Sequence, residues 1–250
     1  MSAALTGPGH LRPAPGPRGL RRFTTPRPAA EEHCELCGVR LPDERHRHLV
    51  DIEKRALACA CPPCAALLDR PGASGGRFRA VPGRYLSDPD HRIDHHTWEL
   101  LRIPVGVAFL FRNTALGRPV ALYPSPAGAT ESELEPSDWE NVLAATRLAE
   151  ELEPDVEALL LRRGDGRRAD GRRADGRRAD GRRADGRRTD TEGDRGTECH
   201  LVPVDICYAL VGRMRQTWQG FDGGAEARAA LDAFFDDVRL QAGPPQGSRP

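Results

Sequence analysis

Apolar residues between positions 78 and 242 follow the spacings expected of strands and helices. Nearly unbroken apolar runs at Val105–Phe111 and Val156–Leu161 predict two buried strands. Shorter runs at Pro119–Tyr123 and Leu201–Val204 predict two more. A short polar connection separates the first strand from Pro119–Tyr123, so these two strands are expected to be antiparallel neighbours.

Three stretches of the same region carry apolar residues at helical spacing. A Ser-x-x-Glu capping box at Ser137 predicts a helix that runs to about Leu152. Asp205 is expected to cap a second helix that Gly220 ends, and a third helix is expected over residues 225–241. The resulting order, β-β-α-β-β-α-α, predicts an α+β domain with a mostly antiparallel sheet and three packed helices.

Several segments have apolar residues at neither the strand nor the helix spacing. Residues 1–30 and 243–250 are predicted to be disordered tails, because they cannot bury enough apolar surface to offset the entropy of ordering. The glycine-rich segment 71–77 is predicted to be a linker. A GRRAD repeat from Gly166 fills a predicted insert at 163–198, and its period fits no solenoid or coiled coil. We interpret it as a disordered loop lengthened by tandem duplication, with an RNA- or partner-binding arm as the alternative.

Residues 31–70 form a separate cysteine-rich unit, which holds five of the seven cysteines. Cys34 and Cys37 form one Cys-x-x-Cys pair, and Cys61 and Cys64 form another. The spacing C-x2-C-x23-C-x2-C is slightly longer than that of common four-cysteine zinc sites. Each pair aims two thiolates at one point, so these four residues are the predicted metal ligands.

The residues between the two pairs predict a hairpin, with strands near 48–52 and 56–59, and a short helix is expected after Cys64. A knuckle, a hairpin and a second knuckle at a helix start resemble a treble-clef zinc finger, with a zinc ribbon as the close alternative. Residues 31–77 contain no aromatic residue. The unit therefore has little core of its own, and metal binding is expected to supply much of its folding energy.

Cys59, His46 and His48 are the alternate ligands of this unit. Strand alternation puts Cys59 and Cys61 on one face, and Cys61 is favoured because it shares a knuckle with Cys64. The two histidines are interpreted as solvated loop residues, with ligands or neighbours of ligands as the alternatives. Four thiolates close the coordination sphere of Zn²⁺, which is typical of a structural site, and iron is the alternative metal.

Charge and composition limit the function further. The formal net charge is zero, so no global field draws the chain to nucleic acid or to a membrane. No run of 18 apolar residues exists, and no apolar stretch follows Arg21-Arg22, which argues against a membrane span and a secretory signal. Clustered cysteines without such a signal favour metal binding in the cytoplasm. No nucleophile with a neighbouring base is evident, so an enzyme is not expected.

Seven motifs within about residues 30–240, outside the GRRAD insert, resemble those of one uncharacterised bacterial family: HCELCG, HRHLVD, CACPPCAALL, LRIPVGVAFLF, ALYPSPAGATES, EPDVEALL and LVPVDICYALVG. A Trp-x-Gly sequence follows the last of these motifs, LVPVDICYALVG. The resemblance implies a context in high-GC Gram-positive bacteria, where the family is often encoded beside nickel–iron hydrogenase structural and maturation genes. It implies no catalytic residues.

These observations together predict a non-enzymatic, zinc-binding accessory protein. It is expected to support assembly or function of a nickel–iron hydrogenase through protein–protein contact, with a hydrogenase subunit or maturation factor as the partner. One alternative is a rubredoxin-like iron electron carrier. A second is a nucleic-acid-binding zinc module, which the zero net charge and the lack of aromatic residues near the knuckles argue against.

Overall fold

The computed structural model describes residues 31–42, 46–70, 72–164, 197–219 and 223–245. The predicted tail at 1–30, the GRRAD repeat and residues 246–250 lie outside these described residues, so the disorder predicted for them stays a prediction.

Nine strands and six α-helices form within the described residues. The strands are β1 Arg47–Asp51, β2 Ala56–Ala60, β3 Phe78–Ala80, β4 Leu86–Ser87, β5 Val107–Asn113, β6 Arg118–Ser125, β7 Gly128–Ser132, β8 Glu157–Arg163 and β9 Thr197–Pro203. The helices are α1 Pro62–Leu68, α2 His95–Leu100, α3 Pro136–Ala144, α4 Leu148–Glu151, α5 Val204–Thr217 and α6 Gly224–Gln241. A 3₁₀ turn covers Ala73–Gly76.

Two sheets organise these elements. The smaller sheet has the order β2-β1-β3, and the larger has the order β4-β9-β8-β5-β6-β7. Every pair of neighbouring strands in both sheets is antiparallel. The predicted α+β class with a mostly antiparallel sheet is therefore confirmed, as is the antiparallel pairing of β5 with β6.

Helices cover both faces of the larger sheet, which explains why its central strands are apolar without interruption. Phe109 and Leu160 point to the face on which α5 and α6 pack. Leu110 and Leu159, their neighbours in sequence, point to the opposite face, on which α2, α3 and α4 pack. A strand buried on both sides has no polar face, so periodicity alone cannot reveal which residues share a side.

The second helical layer differs from the sequence prediction. Helix α3 begins at Pro136 with Glu135 as its N-cap and has no side-chain cap, so the capping box predicted at Ser137 is wrong. Proline suits the first helical position, because an amide there would be unbonded. The helix also ends early, at Ala144. The carboxylate of Asp88 accepts hydrogen bonds from the Thr146 hydroxyl (2.7 Å) and the Arg147 amide (3.1 Å), which diverts the chain from helical bonding.

The cap predicted for the following helix is also wrong. Helix α5 has Pro203 as its N-cap, and Asp205 lies inside its first turn. The last helix, α6, lies within one residue of its predicted bounds. Strands β3, β4 and β7 were not predicted. β7 has exposed and half-buried residues along most of its length and forms the edge of the sheet, so its apolar pattern is weak.

The smaller sheet packs directly against the larger domain. Its third strand, β3, pairs with β1 and comes from residues that the sequence analysis assigned to the large domain. Val50 of β1 and Val81 after β3 belong to the same apolar core as Phe109. The guanidinium of Arg79 donates to the carbonyl of Pro154 over 2.7 Å. The cysteine-rich unit is thus attached through both apolar packing and hydrogen bonds.

A cavity of about 340 Å³ remains where the hairpin β1–β2 meets the large domain. Val50 and Leu57 line it from the hairpin, and Phe111, Val204 and Tyr208 line it from the large domain. Its wall is mainly apolar.

Candidate metal centre

The first knuckle is a tight turn closed by backbone hydrogen bonds. The amide of Cys34 donates to the carbonyl of Val39, and the amide of Gly38 donates to the carbonyl of Cys34, both over 2.8 Å. Gly38 has φ +74°, a conformation that glycine adopts without steric penalty. This turn brings Cys37 back toward Cys34.

The second knuckle coincides with the start of helix α1. Cys61 is the N-cap in an extended conformation, and proline follows at the first helical position. The helix therefore begins at Pro62, before the start predicted from the sequence. The amide of Ala65 donates to the carbonyl of Cys61 over 3.0 Å, and Cys64 lies in the first turn. The helical turn places the sulfurs of Cys61 and Cys64 on one side.

Glu35 joins the two knuckles. Its amide donates to the carbonyl of Cys59 over 2.9 Å, and its carboxylate accepts from the amide of Cys59 over 2.8 Å. Cys59 lies at the end of β2, two residues before Cys61. The predicted hairpin β1–β2 is confirmed, and it delivers the second knuckle to the first.

The four predicted ligands converge. The sulfurs of Cys34, Cys37, Cys61 and Cys64 all lie within 4.8 Å of one another, and those of Cys37 and Cys61 are 3.7 Å apart. Zinc–sulfur bonds of about 2.3 Å give a tetrahedron with edges of about 3.8 Å. The cluster therefore has the donor set and nearly the dimensions of a four-thiolate metal site, and it could hold a metal ion. All seven cysteines are free thiols.

The thiols of Cys34 and Cys64 differ in pKa. Burial of the Cys34 thiol acts to raise its pKa. Backbone amides of Cys61, Leu36 and Cys37 donate to its sulfur, outweigh burial and lower that pKa to about 6. At Cys64, the hydrogen bond with the thiol of Cys61 favours the protonated form and raises the pKa to about 12. The geometry thus favours the thiolate of Cys34 over that of Cys64, and a bound cation would favour deprotonation of Cys64.

The alternate ligands do not join this cluster. Cys59, His46 and His48 form a second group, whose ligand atoms also lie within 4.8 Å of one another. The structure therefore separates Cys59 from Cys61, which strand alternation alone could not do. Nδ1 of His48 and the carboxylate of Asp205 are 2.6 Å apart. Sequence reasoning missed this contact, because the two residues are 157 positions apart.

The remaining cysteines lie in the core of the large domain. Burial raises the pKa of Cys199 to about 12 and that of Cys207 well above the usual value. Both side chains are almost fully inaccessible. They pack as small apolar groups, since the thiolate that reacts or binds metal is strongly disfavoured in such surroundings.

Fold and site together define an α+β protein with an N-terminal four-cysteine cluster that could hold a metal ion. The particular family follows from comparison with known sequences. The pattern of DUF5947, a family of unknown function, matches residues 33–171 and 188–242, and the chain belongs to this family. Neither a curated protein nor a solved structure matches the chain. Among the described residues, no helix combines the length and the apolar character needed to cross a membrane.

Proposed function

We propose that the four-cysteine cluster binds one structural zinc ion and that the chain is a non-enzymatic accessory protein. The convergence of four sulfurs within 4.8 Å carries this proposal. A site with four protein ligands has no open position for water or substrate, which is the arrangement of structural rather than catalytic zinc.

Burial in the cysteine-rich unit supports a folding role for this ion. The apolar core of the unit consists mainly of the buried thiols Cys34 and Cys61, two alanines, and the leucines Leu41 and Leu49. So few apolar side chains bury little surface, and two of them are the ligands themselves. Zinc binding would therefore supply much of the free energy that holds the knuckles and hairpin together.

A protein-contact role is supported by the surface of the same unit. Leu36 and Val39 of the first knuckle and Leu67 of helix α1 are exposed, with Leu67 at 59%. Large apolar side chains that stay in water in the free protein are suited to a protein–protein interface. The metal would keep this surface rigid.

The partner that we propose is a subunit or maturation factor of a nickel–iron hydrogenase, and the place of action is the cytoplasm. Support for the partner comes from the resemblance to a family often encoded beside hydrogenase genes. Support for the compartment comes from the clustering of five cysteines within residues 31–70, four of whose sulfurs converge, which is typical of metal ligands rather than disulfides.

Metal analysis of the purified full chain tests the site. We expect zinc at the cluster and no visible colour, and we expect that zinc to be lost when Cys34 and Cys37 are both replaced by serine. Cys207→Ala is the matched control, because it removes a thiol from the core of the large domain and should leave the metal content unchanged. A red, redox-active iron centre that depends on Cys34 and Cys37 would instead make the chain an electron carrier.

Affinity capture from the native host tests the partner. We expect hydrogenase subunits or maturation factors to co-purify with the wild-type chain and to be reduced when Leu36 and Leu67 are replaced by serine. Both positions are exposed, so these changes should leave the fold intact. Capture without any hydrogenase component would refute this choice of partner, while leaving the zinc assignment to the metal analysis.

A further inference from the structure

Three side chains with metal-binding atoms share one face of the hairpin β1–β2, outside the four-cysteine cluster. His48 and Cys59 are directly opposite each other in the two strands. His46 lies just before β1 and two residues before His48, so continuing the alternation of the strand by one residue directs it to the same face. One ligand atom from each of the three lies within 4.8 Å of those of the others.

His46 has a buried nitrogen that nothing satisfies. Its Nδ1 is inaccessible and has no hydrogen-bond partner within the part of the chain that the structure describes. Its ring meets that of His48 edge-on, with centroids 4.8 Å apart and planes inclined by 72°. Buried polar atoms in folded proteins nearly always have a partner, and an unpaired imidazole nitrogen beside a second imidazole and a thiol is suited to binding a cation.

His48 is already oriented for such a role. Its Nδ1 lies 2.6 Å from the carboxylate of Asp205, on the first turn of helix α5. In the neutral ring, a proton on Nδ1 that is donated to Asp205 leaves Nε2 as the atom with a free lone pair. Metal-binding histidines commonly donate their second ring nitrogen to a carboxylate, which sets the tautomer and the ring orientation.

We propose that His46, His48 and Cys59 bind a second metal ion, a divalent ion of the zinc type, with Asp205 as the positioning residue. Two imidazoles and one thiolate are ligands that suit Zn²⁺ and its late first-row neighbours. Three protein ligands leave one position of a tetrahedron open. This site would therefore accept water or a donor atom from a bound molecule, which the four-cysteine cluster cannot do.

The two sites are close but do not share ligands. Cys59 and Cys61 are two residues apart, about 7 Å along a strand. Glu35, in the first knuckle, hydrogen-bonds both backbone groups of Cys59. The proposal does not rest on the structural zinc, because no ligand of one site belongs to the other. Variants can therefore empty either site separately.

Cobalt titration of the metal-free, reduced full chain tests the second site. Co²⁺ substitutes for Zn²⁺, and its visible and near-ultraviolet absorption distinguishes four thiolates from one thiolate with two imidazoles. We expect two cobalt ions per wild-type chain. Cys59→Ala and His46→Ala should each retain one, with the four-thiolate spectrum unchanged. Two separate variants are used so that misfolding of one does not decide the result.

Two further variants separate ligation from general effects. His95→Ala is the matched control, because His95 is a histidine with a 75% exposed side chain and should leave two ions bound. Asp205→Asn should keep two ions but weaken cobalt binding at the second site by about 10- to 100-fold, with no change at the first. An equal loss at both sites would show that Asp205 acts through the fold and would overturn its positioning role.

The outcomes distinguish this proposal from the structural-zinc proposal. One cobalt ion per wild-type chain, lost when Cys34 and Cys37 are changed and kept in Cys59→Ala, would overturn the second site alone. One ion with the mixed spectrum, lost only in Cys59→Ala and His46→Ala, would support the second site and overturn the structural zinc. Two ions in both of these variants would overturn the assigned ligands.

Discussion

Outside the cysteine-rich unit, the ion pair between Arg84 and Glu157 is expected to make a large contribution to the free energy of unfolding. Glu157 is fully buried at the start of β8. Its carboxylate accepts from Nε of Arg84 over 2.6 Å, from Nη2 of Arg84 over 2.9 Å, and from the amide of Glu153 over 3.0 Å. Arg84 lies between β3 and β4, where the chain passes from the small sheet to the large one.

Replacing Arg84 with methionine keeps much of the side-chain volume but removes both charged hydrogen bonds to Glu157. It also removes the hydrogen bond from Arg84 to the carbonyl of Glu151 and the ion pair with the Glu151 carboxylate. The carboxylate of Glu157 then stays buried with a single amide donor. Breaking a buried pair in this way costs about 3–5 kcal/mol. Since domains are stable by about 5–15 kcal/mol, the loss should remove a large fraction of the free energy of unfolding.

Urea unfolding followed by tryptophan fluorescence measures this loss. Arg118→Met is the matched control, because Arg118 makes an ion pair with Glu131 on the same sheet, but both side chains are about half exposed. That change should cost less than about 1 kcal/mol. Adding Glu157→Leu to Arg84→Met should recover part of the loss, since the fully buried charge of Glu157 is then removed as well. Equal small effects of Arg84→Met and Arg118→Met would refute the reasoning and show that water reaches Glu157.

Three further predictions concern the carboxylate of Glu198, the backbone of Gly38 and the thiol of Cys199. Burial acts to raise the pKa of Glu198, but hydrogen bonds from His200 and Arg239 outweigh it and lower that pKa from the usual 4.5 to about 2. The carboxylate therefore adds stability above about pH 4.5, reduced by its one-third exposure to about 1–2 kcal/mol, and this is lost as the pH falls toward 2. The difference in free energy of unfolding between wild type and Glu198→Gln should shrink over that window, and a constant difference would contradict the assignment. Gly38→Ala should destabilise the first knuckle by about 1 kcal/mol, measured by thermal unfolding, because φ is +74° there although no atom lies within 4 Å of the added carbon. Cys199 should resist iodoacetamide in the native chain and react after unfolding, as mass spectrometry would show, because its thiol is buried and its pKa is about 12.

The two knuckles and the hairpin of the cysteine-rich unit could be predicted from the sequence, because each depends on residues that are close together in the chain. Cys34 and Cys37 must converge, since the Cys-x-x-Cys turn is short and Gly38 permits its backbone conformation. The hairpin follows from two strand-like segments joined by a polar turn, and its register brings Cys61 to the first knuckle. The spacing of the cysteines therefore carries most of the information about the four-sulfur cluster.

The helix starts show where local reasoning failed. Ser137 matches a capping box, yet the proline before it begins α3 and leaves the serine inside the helix. Asp205 is a residue type that commonly caps helices, and its carboxylate does accept from the amide of Ile206 over 2.8 Å. Its second oxygen contacts His48, across the boundary between the cysteine-rich unit and the large domain. Polar residues at a helix start can bond to the local backbone or to a distant side chain. Only the packing of the hairpin against α5 shows that Asp205 also has a distant partner.

The sequence by itself determined the α+β class, the hairpin and the two knuckles, because each depends on periodicity or on residues within a few positions. The tertiary structure alone decided that helices cover both faces of the large sheet and that the carboxylate of Asp205 meets His48. These outcomes depend on which surfaces meet when distant segments pack. Strand alternation predicts which side chains share a face of a strand. Which other element packs on that face depends on the whole fold.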